Sequence, residues 1–153
     1  METSFILNLK ESRTETPYNV LGMLTYLKIA GRDTNGQMSM FYGDYKRKQG
    51  PPLHKHDLDE TFYVTEGEFI FQLADKKVKA VAGSTIFIPR MMPHAFLITS
   101  EIGRTLFILC PAGDVEALFA KYDSYQNVPS IEELMRISNE FGYPILGPQI
   151  TED

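Results

Sequence analysis

The chain of 153 residues has a single cysteine, Cys110, so it can close no internal disulfide and cannot build a cysteine-based zinc site. Basic charge is scarce as well. Fifteen Lys and Arg stand against twenty Asp and Glu, a formal net charge of -5, which excludes the electrostatic footprint of a nucleic-acid binder. The one basic run, Lys46-Arg47-Lys48, reads as a solvated turn. No apolar stretch approaches membrane-spanning length, and the run after Ser4 is too short for the apolar region of a signal peptide. The expectation is a cytoplasmic protein that engages neither membrane nor nucleic acid. Glycine-rich phosphate loops, internal repeats and low-complexity segments are all missing. Cys110 ends the apolar run 105–110 and is expected to be a buried, inert thiol.

What is present is a succession of short strand-like runs. Leu21, Met23, Leu27 and Ile29 recur with period two, and Met38, Met40 and Tyr42 alternate on the next run. Asn35-Gly36 between them is a hairpin signal, because both residues tolerate positive φ. Gly50-Pro51-Pro52 interrupts any ladder. Further strands are expected at 53–56, 61–65, 68–73, 77–81, 84–88, 94–99 and 105–110, with turns at Glu66-Gly67, Ala74-Asp75-Lys76, Ala82-Gly83 and Glu101-Ile102-Gly103. Many short strands without intervening helices predict an all-β sandwich or barrel, here one domain over residues 1–153 with its barrel core at about 20–112. A helical segment follows at about 113–153. Its first helix is expected from Asp114, with Val115, Leu118 and Phe119 at helical spacing. The second starts at Ser130 with Glu133 three residues on, carries Ile131, Leu134, Met135 and Phe141 on one face, and stops at Gly142.

All three histidines fall into a pattern with chemical meaning. His54 and His56 are two apart, and such side chains on a strand point to the same face. Glu60 follows the bend Asp57-Leu58-Asp59 and shares a face with Phe62 and Val64, so it can enter the same interior. A buried carboxylate is costly unless paired or bound to a metal. His94 opens a strand after the proline-bounded loop 89–93. Three imidazoles and a carboxylate suit a divalent transition metal and leave open positions on an ion that takes five or six ligands.

These residues also carry a family resemblance. The stretch from Gly50 through His54-Lys55-His56 to Glu60, then Gly67, resembles the first cupin motif, His-x-His, three or four residues, Glu, six residues, Gly. Gly83 through Pro89 to His94 resembles the second, Gly-x5-Pro-x-Gly-x2-His-x3-Asn. The resemblance implies a double-stranded β-helix, or jelly-roll barrel, and a metal ion (Fe, Mn, Ni, Cu or Zn) held by His54, His56, Glu60 and His94, with Glu60 also a catalytic base. Three departures stand out. Gly50 lies two residues closer to His54 than is usual, Met91 replaces the inner glycine of the second motif, and Ile98 replaces its final asparagine. The start of the first motif and the ending 111–114, with the tail 141–148, also resemble small quercetin-dioxygenase-like cupins.

Counting from the ligands puts Phe62, Phe96 and Ile98 in the pocket, and Met38, Met40 and Tyr42 on the opposite wall. Gln72, Tyr42 and Arg104 are its polar candidates. Such a lining favours a flat apolar or aromatic substrate. The expected activity is a metal-dependent dioxygenase acting on a small aromatic or enol substrate. The alternatives are a metal-dependent isomerase or hydrolase, and a non-enzymatic small-molecule binder. A homodimer is expected, with the first ~20 residues and the terminal helices covering sheet edges on the partner.

Overall fold

Apolar side chains at alternate positions turn most of the chain into strands, because alternate residues of a strand face one side of its sheet. The structure, a computed structural model, describes residues 3–152. Its strands are β1 (Tyr18–Val20), β2 (Met23–Ile29), β3 (Ser39–Lys46), β4 (Asp59–Glu66), β5 (Glu68–Leu73), β6 (Lys76–Val81), β7 (Thr85–Ile88), β8 (His94–Ile98) and β9 (Ile102–Cys110). Helices α1 (Val115–Asp123) and α2 (Ile131–Phe141) follow. Six strands make one antiparallel sheet in the order β1-β2-β3-β9-β4-β7, and three make a second, β6-β5-β8. The chain changes sheet after β4, β6, β7 and β8, which is jelly-roll winding. The two sheets face each other without joining in one continuous ladder.

Aromatic rings fill the space between them. Phe41, Phe62, Phe69, Phe71, Phe96 and Phe107 are all buried. The Phe62 ring lies 5.1 Å from Phe71, 5.3 Å from Phe107 and 5.5 Å from Phe96. Those are favourable stacked and edge-on separations, and burying each such ring contributes on the order of 1.5–3 kcal/mol.

Several local expectations change. Leu21 is not in a strand: with φ of 55° it forms, with Gly22 at 89°, the two-residue turn between β1 and β2. Asn35 and Gly36 do take positive φ, but they cap a short 3-10 helix (Gly31–Thr34), so the β2–β3 connection is longer than a two-residue hairpin. Within residues 53–56 His54 alone forms isolated bridges in place of a strand, and Ile102 and Gly103 belong to β9 rather than to a turn. Cys110 is half-buried rather than buried.

On β3 the phase is inverted. Phe41, Gly43 and Tyr45 face the interior, while Met40 and Tyr42 face the opposite side, beneath the amino-terminal segment that carries Phe5, Leu7 and Leu9. Both phases of this strand are apolar, so alternation alone does not choose between them.

The helices begin and end where expected. Ser130 Oγ accepts the Glu133 N–H at 3.2 Å, and Gly142 stops α2 at φ 83°. Glu133 does not complete a capping box; its carboxylate binds Arg136 and the Tyr125 hydroxyl. The buried face of α2 is Leu134, Ile137 and Ser138, with Ile131 and Met135 left exposed. α1 buries Val115, Leu118 and Tyr122, and Phe119 packs edge-on against Phe41. The helices thus close the mouth of their own barrel. Among the described residues no helix is long and apolar enough to cross a membrane.

Candidate metal centre

Three segments bring the histidines together. His54 and His94 exchange both backbone hydrogen bonds, His54 N to His94 O at 3.0 Å and His94 N to His54 O at 2.9 Å. This single antiparallel bridge sets their rings side by side, 4.3 Å between centroids. On the other flank, Leu53 and Lys55 bond to residues of the tail: Leu146 N donates to Leu53 O at 2.7 Å, and Lys55 N to Pro144 O at 3.3 Å. Residues 53–55 therefore lie between β8 and the carboxy-terminal segment, and the tail holds the first histidine pair in place. His56 is held by the turn before β4, and Met91 N donates to His56 O at 2.8 Å. Met91 takes φ of 67°. The turn normally made by glycine is thus made by a side-chain-bearing residue, at a cost of about 1–2 kcal/mol for the left-handed backbone. The Met91 side chain escapes outward, about half exposed.

The ligand atoms of His54, His56 and His94 all lie within 4.8 Å of one another. Each Nδ1 faces a backbone carbonyl: Pro52 O for His54 at 2.8 Å, Leu58 O for His56 at 3.1 Å and Met92 O for His94 at 2.8 Å. A carbonyl oxygen only accepts, so each Nδ1 carries a hydrogen, and each imidazole, when neutral, presents its Nε2 lone pair. Fixing the outer nitrogen in this way orients imidazoles toward a metal.

Glu60 enters from β4. Its Oε2 lies 2.8 Å from His56 Nε2 and 3.2 Å from His94 Nε2. Oxygen and nitrogen lone pairs at these distances repel unless a positive charge lies between them. A proton on His56 supplies it in the metal-free protein, and a divalent cation held by the three imidazoles would supply it as well. The three imidazoles therefore fit a metal ion, and Glu60 stands at hydrogen-bond distance from two of them.

The electrostatics follow from burial and from these contacts. Burial pushes His54 down to about 3, helped by the neighbouring His94, so its imidazole stays neutral and ligand-ready. Burial opposes charge on His56 too, but the Glu60 carboxylate outweighs it and raises His56. Burial would raise Glu60, yet hydrogen bonds from His56 and His94 hold it well below the carboxylate range.

Beside the centre lies a cavity of about 100 Å³. Of the residues expected in it, Phe62 and Phe96 are lining residues together with His54, Glu60 and His94. Ile98 is inside the barrel but beyond the cavity, where it packs against Gly103. Three expected polar groups are elsewhere. Tyr42 faces the outer groove; Gln72 points outward and donates to Ala74 O at 3.1 Å; Arg104 pairs with Asp44 at 2.9 Å and with Glu66 at 2.5 Å. The cause for Tyr42 is the inverted phase of β3, and Gln72 alternates with the inward Phe69 and Phe71. Sequence reasoning missed Tyr45, Thr25 and the helical ceiling of Leu118, Phe119 and Tyr122. The signal for Tyr45 was its four-residue spacing from Phe41.

Comparison with known proteins bears on the fold. The family described as Cupin domain matches residues 42–109, which include all four candidate ligands. A search of curated protein sequences gives no match. Among solved structures, the chain is similar to KdgF from a Halomonas species, with 16% identity and a TM-score of 0.62 over 74% of this chain and 98% of that one. A predicted oxalate decarboxylase from Thermotoga maritima aligns at 18% identity and a TM-score of 0.63, covering 70% of this chain and 99% of the other. The polyketide cyclase RemF from Streptomyces resistomycificus aligns at 22% and 0.56, covering 72% and 79%. At such identities the likeness speaks for the fold alone. The two-sheet winding, the match over residues 42–109 and the fold shared with these structures together give the chain the jelly-roll fold of a cupin domain.

Proposed function

We propose that His54, His56, His94 and Glu60 hold one divalent transition metal, and that the centre is a dioxygenase acting on a small aromatic or enol substrate. The observation that carries this reading is the convergence of three imidazole Nε2 lone pairs, each Nδ1 tied to a carbonyl, beside a cavity walled by Phe62, Phe96 and Phe107. A bound ion of this kind would polarise a substrate oxygen and, if redox-active, open a path to dioxygen. The protein's own groups do the rest. The phenylalanine walls orient a flat molecule and exclude water. The α1 ceiling shields it from solvent. Glu60 Oε2, which lies between two imidazoles, can hold a proton taken from an enol or hydroxyl group.

The test is elemental analysis of purified protein beside a His54→Ala, His94→Ala double variant, followed by oxygen uptake with a panel of flavonols and diketones. Near-stoichiometric metal in the wild type, lost in the variant, and oxygen consumed by the loaded protein are the expected results. Equal, negligible metal in both proteins removes the centre. Metal without oxygen uptake removes the dioxygenase, and anaerobic turnover would then favour the isomerase or hydrolase reading.

The proposed assembly is a homodimer. Phe5, Ile6 and Leu9 are 40%, 89% and 61% exposed on the amino-terminal segment, an apolar cost in water that a second copy would relieve. Light scattering at micromolar concentration should give twice the chain mass; a monomer would count against the dimer.

A further inference from the structure

The cavity carries hydroxyl groups besides its histidines and glutamate. Five hydroxyl-bearing side chains line it: Thr25, Tyr45, Tyr122, Ser138 and Tyr143. Three of them are committed to holding the ceiling. Tyr122 and Ser138 bond each other across α1 and α2, and the Tyr143 hydroxyl accepts the Asp114 N–H at 3.0 Å. The remaining two, Thr25 and Tyr45, form a loose pair at 3.2 Å, and Thr25 reaches Met23 O at 3.3 Å. Both contacts are long for hydroxyl hydrogen bonds, which centre near 2.7–2.8 Å, about half an ångström shorter. A polar ligand group entering between them could make a shorter bond than the two hydroxyls make with each other.

The position of Tyr45 is built by the backbone. A Cβ on Gly43 would lie 2.2 Å from Tyr45 Cζ and 2.5 Å from its hydroxyl oxygen. Glycine at 43 is therefore the slot in which the Tyr45 ring lies flat along β3, stacked on Phe96 at 5.8 Å. The ring leans back over the sheet level of Gly43, Thr25 and Thr105, and Thr105 pairs with Val64. Glu60 is four residues from Val64 along β4, so the hydroxyl pair and the histidine centre stand at different heights of one apolar shaft. Tyr45 is 2% exposed, and burial raises it to a value at which the phenol stays neutral and can donate or accept.

From this geometry we infer that Tyr45, supported by Thr25 and seated by Gly43, is the distal specificity residue of the cavity: it hydrogen-bonds a hydroxyl or carbonyl group on the end of the ligand remote from the metal. The ligand class is a small, flat, apolar molecule with an oxygen function at each end. This rests on the proposed metal centre and deepens it.

The probes are benzoate and 4-hydroxybenzoate, two rings that differ by one distal hydroxyl. Their binding to Zn(II)-loaded wild type and Zn(II)-loaded Tyr45→Phe is measured by calorimetry, zinc being chosen because it has no redox chemistry. The wild type should prefer 4-hydroxybenzoate about fivefold, the worth of one neutral hydrogen bond. Tyr45→Phe should bring the ratio to one or below, with benzoate affinity unchanged, which also shows that the variant is folded and its metal end intact. A wild type indifferent to the hydroxyl, or a preference that survives Tyr45→Phe, overturns the assignment of Tyr45 while leaving the metal-end reading standing. Failure of both probes to bind the zinc-loaded wild type overturns the assignment together with that reading.

Discussion

Gly50→Ala is expected to lower stability by roughly 3 kcal/mol or more, at the upper end of what overpacking costs. The reason lies in the backbone of β8. A Cβ at position 50 would stand 1.9 Å from the Phe96 carbonyl oxygen and 2.8 Å from its carbonyl carbon. Backbone cannot swing aside as a side chain does. The chain on either side of Gly50 is pinned to β8: Lys48 N donates to Ile98 O at 2.9 Å and Ile98 N to Gln49 O at 3.0 Å, and beyond the prolines His54 and His94 exchange their pair. Pro51 and Pro52 lack N–H groups and add no rung between these anchors. A methyl group therefore has to pry apart a short ladder held at its two ends.

The consequence reaches the metal centre, because the second anchor is the bridge that sets His54 beside His94. Gly50→Ala should lose metal affinity as well as stability, without touching a ligand. Urea unfolding of metal-free Gly50→Ala against Gly147→Ala provides the measurement. The control glycine has its nearest neighbours at ordinary contact distances, 3.4 and 3.6 Å, so its substitution should be close to neutral. Equal midpoints for the two variants would show that the loop 48–54 yields more readily than the ladder implies.

Gly50 also shows what was legible in the sequence. The ligand set could be read because each element of it is local: two histidines two apart, a glutamate after one bend, a histidine opening a strand. The jelly roll could be read because strand periodicity and turn residues are local too. The phase of β3 could not, since Met38, Met40 and Tyr42 look as apolar as Phe41 and Tyr45. Only the register of β3 against β9 decides it, and that pairing joins residues 56 to 70 positions apart. The same limit hid Tyr45 from the pocket and placed Tyr42 there instead. The role of the tail is a further case. Its pairing with residues 53–55 is carried by backbone groups, which leave no mark on side-chain pattern. Met91 shows the converse: a motif position can lose its glycine and keep its conformation when Met91 N and His56 O bond across it.

The metal-free protein should be most stable near pH 6.5, and a bound metal should remove the alkaline side of that maximum. Three groups set the curve. His54 is depressed from its ordinary 6.5 to about 3, so as pH falls from 6.5 toward 3 the unfolded chain takes up a proton that the folded chain refuses, and stability is lost. Glu60 is also depressed, from 4.5; its contribution is present above 4.5 and is lost as pH falls further. His56 is raised above 6.5, so its contribution is fully present below 6.5 and is lost as pH rises through its folded value. The acid limb thus belongs to His54 and Glu60, and the alkaline limb to the proton that His56 shares with Glu60. A divalent ion takes the place of that proton. Metal-loaded protein should hold its stability on the alkaline side, gaining about 2.7 kcal/mol at a free metal concentration a hundredfold above Kd. Its acid limb should steepen, because protons then compete with the metal for all three imidazoles. Glu60→Gln separates the causes. Without the carboxylate His56 has no reason to titrate high, so the alkaline limb of the metal-free variant should flatten while the His54 part of the acid limb persists. Urea midpoints at half-unit pH steps between 4 and 9, with and without metal, read all three effects. An alkaline limb unchanged by both the metal and Glu60→Gln would mean that the proton between His56 and Glu60 does not govern the stability of this site.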